Sequence, residues 1–68
     1  MEKIKINTEF IKLDSLLKFA SVCTDGGSAK ALIHEGKVFV NGEICVQRGK
    51  KIVPGDQVKT GEKEILVD

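Results

Sequence analysis

The residues with the clearest chemical potential in this chain are four consecutive positions in its second half, Arg48-Gly49-Lys50-Lys51. Three cations this close together can bind phosphate groups and release the counterions that a polyphosphate carries. They follow a predicted hairpin, which would hold them beside a sheet. Charged loop residues are often simply hydrated, so from this cluster alone a phosphate site and a solvated loop are equally good interpretations.

A second candidate for phosphate chemistry is the Gly26-Gly27 turn, which precedes a predicted helix. Free backbone N–H groups and the helix dipole favour an anion at a helix start. Lys30 and His34 are four residues apart and therefore share one face of that helix. The turn is also explained by a plainer interpretation, a flexible cap in front of an ordinary solvated face.

Catalytic and metal-binding chemistry has little support. His34 is the single histidine and has no nucleophile or carboxylate at a recognised spacing, and neither Gly-x-Gly-x-x-Gly nor the P-loop pattern occurs. Cys23 and Cys45 lie too far apart to form, with one histidine, a convincing zinc site, so we expect buried free thiols. We therefore predict a protein that is not an enzyme and has no cofactor and no metal.

Length and composition describe one small domain, residues 1–68. A domain of this size buries only about 60% of its unfolded surface, which leaves little room for an active site in its core. Its 41% apolar and 31% charged residues are typical of a folded, soluble domain. No apolar run could span a bilayer, and the N-terminus lacks the apolar core of a signal peptide. We therefore expect a cytoplasmic location.

The charge balance argues for nucleic-acid binding only if the charges are segregated. The net charge is +1 and the pI is near 7.8, well short of the basic footprint of many nucleic-acid binders. The sequence does show segregation, because the part from position 37 to position 59 contains five cations and two acids. The cations are Lys37, Arg48, Lys50, Lys51 and Lys59, and the acids are Glu43 and Asp56.

These candidate residues need elements to position them, and hydrophobic periodicity predicts two helices. Apolar residues recur at i, i+3, i+4 and i+7, the spacing of one buried helix face. Thr24 or Asp25 can cap the second helix, and Gly36 is a natural stop because it accepts a left-handed conformation. The predicted buried positions are Leu13, Leu16, Leu17 and Ala20 on the first helix, and Ala29, Leu32 and Ile33 on the second.

Outside the helices the apolar period changes to two, which predicts strands. Asn41-Gly42 is a strong hairpin signal, because both residues tolerate positive φ. Pro54-Gly55-Asp56 and Gly61-Glu62 predict further turns. The predicted fold is α+β, with two helices packed on a small, mostly antiparallel sheet. The strands centre on Ile4 and Ile6, Val38 and Val40, Ile44 and Val46, Ile52 and Val53, 57–59, and 64–67.

Several short motifs follow one another along the chain in a fixed order. They are Lys12-Leu13-Asp14, Leu17, Thr24-Asp25-Gly26, Ala29-Lys30, Leu32-Ile33, Gly36-Lys37-Val38-Phe39-Val40-Asn41-Gly42 and Pro54-Gly55-Asp56. Their order resembles that of the ribosomal-protein-S-four-type RNA-binding domain family, which has Arg-Leu-Asp, a leucine, Ser-Arg, Ala-Arg, Leu-Ile, Gly-x-Val-x-Val-Asn-Gly and later Pro-Gly-Asp. The resemblance covers roughly residues 11–59 and is closest to small stand-alone bacterial members.

The resemblance implies a non-catalytic RNA-binding module, in which two helices (the alpha-L motif) and an adjoining hairpin bind folded RNA. The expected partner is ribosomal or transfer RNA, and the expected process is bacterial translation. We expect the protein to be a ribosome-associated monomer that does not bind a membrane. Contact would be made through phosphates and RNA shape. The residues expected to bind RNA are Lys12, Lys18, Gly26, Gly27, Lys30, Lys37, Arg48, Lys50 and Lys51.

The chain departs from the family pattern at three positions. Lys12 replaces an arginine, which keeps the charge and loses bidentate geometry. Gly26 stands where the second helix usually begins with arginine, and Ser21 stands where glycine is common. The basic face is therefore thinned, and we expect binding to shift toward the cluster at 48–51.

A different function class remains open, a small protein-interaction module. Hairpins with Val-Asn-Gly followed by Pro-Gly-Asp also occur in ubiquitin-like sulfur carriers, which react through a C-terminal Gly-Gly. This sequence ends Ile65-Leu66-Val67-Asp68, so carrier chemistry has no reactive end here. A plain protein-binding role is still compatible with the sequence, and a partner retained from nuclease-treated lysate would favour it.

Overall fold

The computed structural model describes all residues, 1–68, as seven strands and two helices, and the predicted α+β architecture is confirmed. Neither helix is both long and apolar enough to cross a membrane. In chain order the elements are β1 Glu2–Ile4, β2 Ile11–Lys12, α1 Leu13–Phe19, α2 Gly26–His34, β3 Val38–Val40, β4 Glu43–Ile44, β5 Lys51–Ile52, β6 Gln57–Thr60 and β7 Lys63–Val67.

The strands form two sheets rather than the single sheet predicted. The larger has the order β1-β7-β6-β3-β4, in which only β1 and β7 run parallel, and the smaller pairs β2 with β5 antiparallel. The Pro54-Gly55-Asp56 turn therefore connects strands of different sheets. Val46 was predicted in the return arm of the hairpin, but β4 ends at Ile44 and the prediction for Val46 is wrong. The predictions for Ile6 and Val53 are wrong for the same reason, since β1 ends at Ile4 and β5 at Ile52.

The core lies between the two helices and the inner face of the larger sheet. The predicted buried faces of the helices are confirmed except at Leu32, which is only half-buried against the core. Cys23 is a buried free thiol as predicted, but Cys45 is a half-buried one, because it follows the edge strand β4. The other fully buried side chains include Val38, Ile52, Val58, Ile65 and Val67.

The start of α1 is capped by a distant loop instead of by its own N-cap side chain. Lys12 occupies the N-cap position and makes no side-chain cap hydrogen bond. The N–H of Leu13 donates to the carbonyl oxygen of Lys50 (2.9 Å), and the N–H of Asp14 donates to that of Arg48 (3.1 Å). The next N–H, of Ser15, donates to Asp14 Oδ1 (2.8 Å). The basic loop is thus attached to the helix by the groups that every helix start must satisfy.

The two turn motifs bind each other. Asn41 and Gly42 both have positive φ, 52° and 86°, as the predicted hairpin requires. Asn41 Nδ2 donates to Asp56 Oδ1 (3.0 Å), and Asn41 Oδ1 accepts from the N–H of Gln57 (2.9 Å). Asp56 Oδ2 accepts from the N–H of Val53 (2.9 Å). The side chains of Asn41 and Asp56 therefore hold the hairpin against the Pro54-Gly55-Asp56 turn.

Candidate nucleic-acid interface

The smaller sheet brings two of the predicted cations directly opposite each other. Lys12 in β2 and Lys51 in β5 are Cα partners in the antiparallel register, so their side chains leave the same face of the sheet. Both are exposed, and neither forms an ion pair. Like charges in this arrangement are destabilising, which makes the pair unusual unless an anion binds it.

An aromatic residue that the sequence did not indicate lies beside this pair. The ammonium of Lys51 sits 4.9 Å from the centroid of the half-buried Phe10 ring, within the range of a cation–π contact. Such a contact limits the positions that the ammonium can take. Phe10 is far from Lys51 in the chain, and no local pattern signals the contact.

The cluster at 48–51 joins the same surface through the start of α1. Its carbonyl groups bind the first N–H groups of that helix, as described above, and its side chains stay exposed. Lys12, Arg48, Lys50 and Lys51 therefore converge on one region, although 36 to 39 positions separate the first from the others. The register of β2 with β5 and the capping of α1 thus bring the backbone of Lys12 next to that of the cluster at 48–51.

The second predicted feature, the Gly26-Gly27 turn, is accompanied by Lys18. The ammonium nitrogen of Lys18 lies 4.0 Å from the position that a Cβ on Gly26 would occupy. Lys18 in the last turn of α1 thus reaches the start of α2. Since α1 rises about 1.5 Å per residue, Lys12 and Lys18 lie roughly 9 Å apart along its axis.

The start of α2 already has a carboxylate. Asp25 is its N-cap, and Asp25 Oδ1 accepts from the N–H of Ser28 (2.7 Å), which confirms the predicted cap. The hydrogen bonds from Ser28 hold the pKa of Asp25 below its ordinary value, and Lys18 lowers it further. A phosphate at the exposed amides of Gly26 and Gly27 would therefore lie beside this anion, with Lys18 as the nearby cation.

The last two predicted cations differ in their surroundings. Lys30 is exposed on α2 and forms no ion pair. The ammonium of Lys37 binds the carboxylate of Glu35 at 3.1 Å, on the connection between α2 and β3. Lys37 is therefore the one predicted RNA-binding cation that is engaged by a carboxylate of the chain.

The three ion pairs of the chain lie on the larger sheet or next to it, and most of the unpaired cations lie elsewhere. The pairs Lys59–Glu64 and Lys63–Glu2 lie on the larger sheet, and Lys37–Glu35 lies on the connection that leads to it. Eight cations form no ion pair, and two of them, Lys3 and Lys5, lie in or directly after β1. The other six occupy α1, α2 and the smaller sheet with its preceding loop. They are Lys12, Lys18, Lys30, Arg48, Lys50 and Lys51.

Comparisons with known proteins agree with this geometry. A family model described as S4 domain matches residues 4–68. A probable ribosome maturation protein, RlbA of Bacillus subtilis (strain 168), is 45% identical over 56 residues, which cover 82% of this chain and 79% of that protein.

Two solved structures share the fold. YbcJ from E. coli superimposes with a TM-score of 0.76 and 29% identity, covering 98% of this chain and 86% of YbcJ. Its solution structure is described as revealing an alfaL motif involved in RNA binding. Trimeric Heat Shock Protein 15 of Vibrio cholerae gives a TM-score of 0.68 and 28% identity over 82% of this chain. This chain spans only 58% of that protein's chain.

Proposed function

This chain belongs to the S4 domain family, and from that premise we propose that it is a single-domain, non-catalytic module that binds folded RNA through phosphate contacts and shape. The family-like core lies at about 11–59. The side chains that bind the RNA phosphates are those of the cations without an ion pair on α1, on α2 and on the smaller sheet with its preceding loop. The amides of Gly26 and Gly27 add hydrogen bonds at the start of α2. Lys37 can take part only after leaving Glu35.

The observation that carries the proposal is the direct opposition of Lys12 and Lys51. Two lysines directly opposite each other and without an ion pair cost stability in the free protein. A phosphate between them would convert the repulsion into two attractions. Arg48 and Lys50 extend the same positive region along the start of α1, so that a chain of phosphates is the ligand that this surface fits best.

The descriptions of the similar proteins support folded RNA, rather than another polyanion, as the ligand. The alfaL motif of YbcJ is described as involved in RNA binding, and RlbA is named as a probable ribosome maturation protein. We therefore propose ribosomal RNA as the partner, bound by a monomer in the bacterial cytoplasm. Phosphate contacts position a protein and read little sequence, so the shape of the RNA supplies most of the selectivity.

The proposal is tested by charge reversal with a matched control. Lys50→Glu with Lys51→Glu should abolish binding to ribosomal RNA hairpins in a fluorescence anisotropy titration, because two attractions become repulsions. Lys59→Glu with Lys63→Glu changes the net charge equally on the larger sheet and should leave most of the affinity. Circular dichroism verifies that both variants are folded.

Three outcomes would contradict the proposal in different ways. Equal affinity of the two double variants would show that the cluster at 48–51 is not the RNA-binding site. Failure of the wild-type protein to bind any folded RNA at low salt would refute the function as a whole. A partner retained from nuclease-treated lysate, with no crosslinked RNA recovered from cells, would favour the protein-interaction alternative.

A further inference from the structure

The segment that follows the hairpin tip exposes apolar side chains on an open sheet edge. β4 is the last strand of the larger sheet, so one side of its backbone has no strand partner. Ile44 is 60% exposed and Val46 is 52% exposed. Edge strands are commonly protected by charged residues. β4 has one, Glu43, and the three residues after it, Ile44-Cys45-Val46, have none. This edge therefore has the features of a contact surface.

A shallow groove of about 490 Å³ runs along this edge. Its lining includes Glu43 of the hairpin, and Asn41 and Asp56, which bind each other. It also includes Lys50, whose N–H donates to the carbonyl oxygen of Gln47 (3.1 Å). Ile44 and Val46 supply exposed apolar side chains to the same lining. A volume of this size is within the range of sites that hold a small ligand, roughly 300–1,000 Å³.

The polar groups of the groove divide into those already bound and those that are free. The side chains of Asn41 and Asp56 are used in holding the hairpin to the next turn. The carboxylate of Glu43, the side-chain amide of Gln47 and the ammonium of Lys50 form no hydrogen bond or ion pair within the chain. The lining of the groove thus offers a free cation, exposed apolar side chains and a free hydrogen-bond acceptor.

We propose that this groove binds one unpaired nucleotide of the RNA, with guanine as the preferred base. The phosphate binds Lys50, the base lies against Ile44 and Val46, and the carboxylate of Glu43 accepts from the base edge. Guanine fits because its N1–H and N2–H donors are adjacent and match the two oxygens of a carboxylate. The inference rests on the proposed function. It adds selectivity for one base to a surface that otherwise recognises the RNA by its phosphates and its shape.

A nucleotide explains the groove better than a protein strand does. Lys50 belongs both to the groove and to the basic cluster at 48–51, so an RNA on that cluster leads directly into the groove. β4 has only two residues, which gives an added protein strand a very short ladder. Unpaired bases of folded RNA are the parts that proteins read by hydrogen bonds to their exposed edges.

The test compares RNA hairpins that are fully paired with hairpins that carry one bulged G, A, C or U. The wild-type protein should bind the G-bulged hairpin about 10-fold more tightly than the paired one, the discrimination that one bidentate contact supplies. Glu43→Gln should reduce the preference for G over the other bases to within about 2-fold and leave binding to paired RNA unchanged. Glu62→Gln is the matched control, an exposed carboxylate without an ion pair in the β6–β7 turn, and should keep the preference.

A second variant tests the apolar part of the site. Ile44→Ser should weaken binding of every bulged hairpin but not of the paired one, and its melting temperature should stay near the wild-type value because Ile44 is mostly exposed. If paired and bulged hairpins bind equally well, the inference is overturned while the proposed function stands. If Ile44→Ser changes only the sedimentation of the free protein, the edge is a protein interface and the inference also fails. If no hairpin binds, the proposed function itself is refuted.

Discussion

Replacing Lys12 with glutamine should stabilise the free protein and weaken its binding to RNA. Lys12 lies at the positive end of the α1 dipole and directly opposite Lys51, and both positions disfavour a cation. The first N–H groups of α1 are already satisfied by the carbonyl oxygens of Lys50 and Arg48. Lys12→Gln therefore removes unfavourable charge without removing a cap, and any gain cannot be attributed to new capping.

The expected magnitude follows from two terms. Like charges directly opposite in a sheet cost roughly 0.2–1 kcal/mol, and a charge of the wrong sign at a helix end costs about 0.3–1 kcal/mol at low ionic strength. Their sum is about 1 kcal/mol, which corresponds to a rise in melting temperature of roughly 4–8 °C for a domain of this size. Loss of one phosphate contact should lower RNA affinity about 8-fold at 0.1 M salt, because affinity varies with salt to a power of about −0.9 per contact.

The assay is thermal unfolding by circular dichroism at 20 mM and 500 mM salt, combined with RNA binding by fluorescence anisotropy. The stabilisation should shrink at the higher salt, since exposed charges are then screened. Lys30→Gln is the control, because it removes an equal charge from the interior of α2, away from a helix start. Its unfolding free energy should change by less than about 0.5 kcal/mol. A fall in the melting temperature of Lys12→Gln would refute the repulsion argument.

Four further perturbations test other parts of the structure. Lys51→Gln should reduce the salt dependence of RNA binding by about one unit of log–log slope, whereas Lys63→Gln, at an ion-paired lysine of the larger sheet, should not. Because the pKa of Asp25 in the folded protein lies below the ordinary 3.8, its contribution to stability is present above that value and lost as pH falls through the folded-state pKa. The free energy of unfolding of Asp25→Asn, measured between pH 6 and pH 2, should therefore fall less steeply with decreasing pH than that of the wild-type protein. Ser21 has φ +61°, a conformation that costs a non-glycine residue about 1–2 kcal/mol, so Ser21→Gly should raise the unfolding free energy by roughly 0.5–1 kcal/mol in urea titrations. Gly36→Ala, at φ +74°, should lower it by about 1 kcal/mol in the same titrations, and equal effects of the two substitutions would show that backbone strain is not the cause.

The family and the architecture were predictable because the signals are local. Asp25 caps α2 through the N–H of a residue three positions on, and Asn41-Gly42 forms its hairpin from the conformational tolerance of two adjacent residues. The buried helix faces follow from a repeat that any helix of that sequence would present. The end of the edge strand β4 was predicted less well, because its backbone can bind water instead of a partner strand, and Val46 lies outside the strand. The burial of Cys45 was overestimated, because this thiol directly follows that edge strand.

The arrangement of the candidate site belongs to the long-range packing. Nothing near position 12 indicates that Lys51 will be its partner across a strand pair, that Phe10 will lie under the ammonium of Lys51, or that Glu35 will engage Lys37. Two-residue strands carry almost no periodicity, so their pairing follows from how the surrounding core closes. Residue types and local spacing therefore specify which cations and which elements exist, while the non-local ladder between β2 and β5 and the carbonyl groups that cap α1 determine which cations face the same ligand.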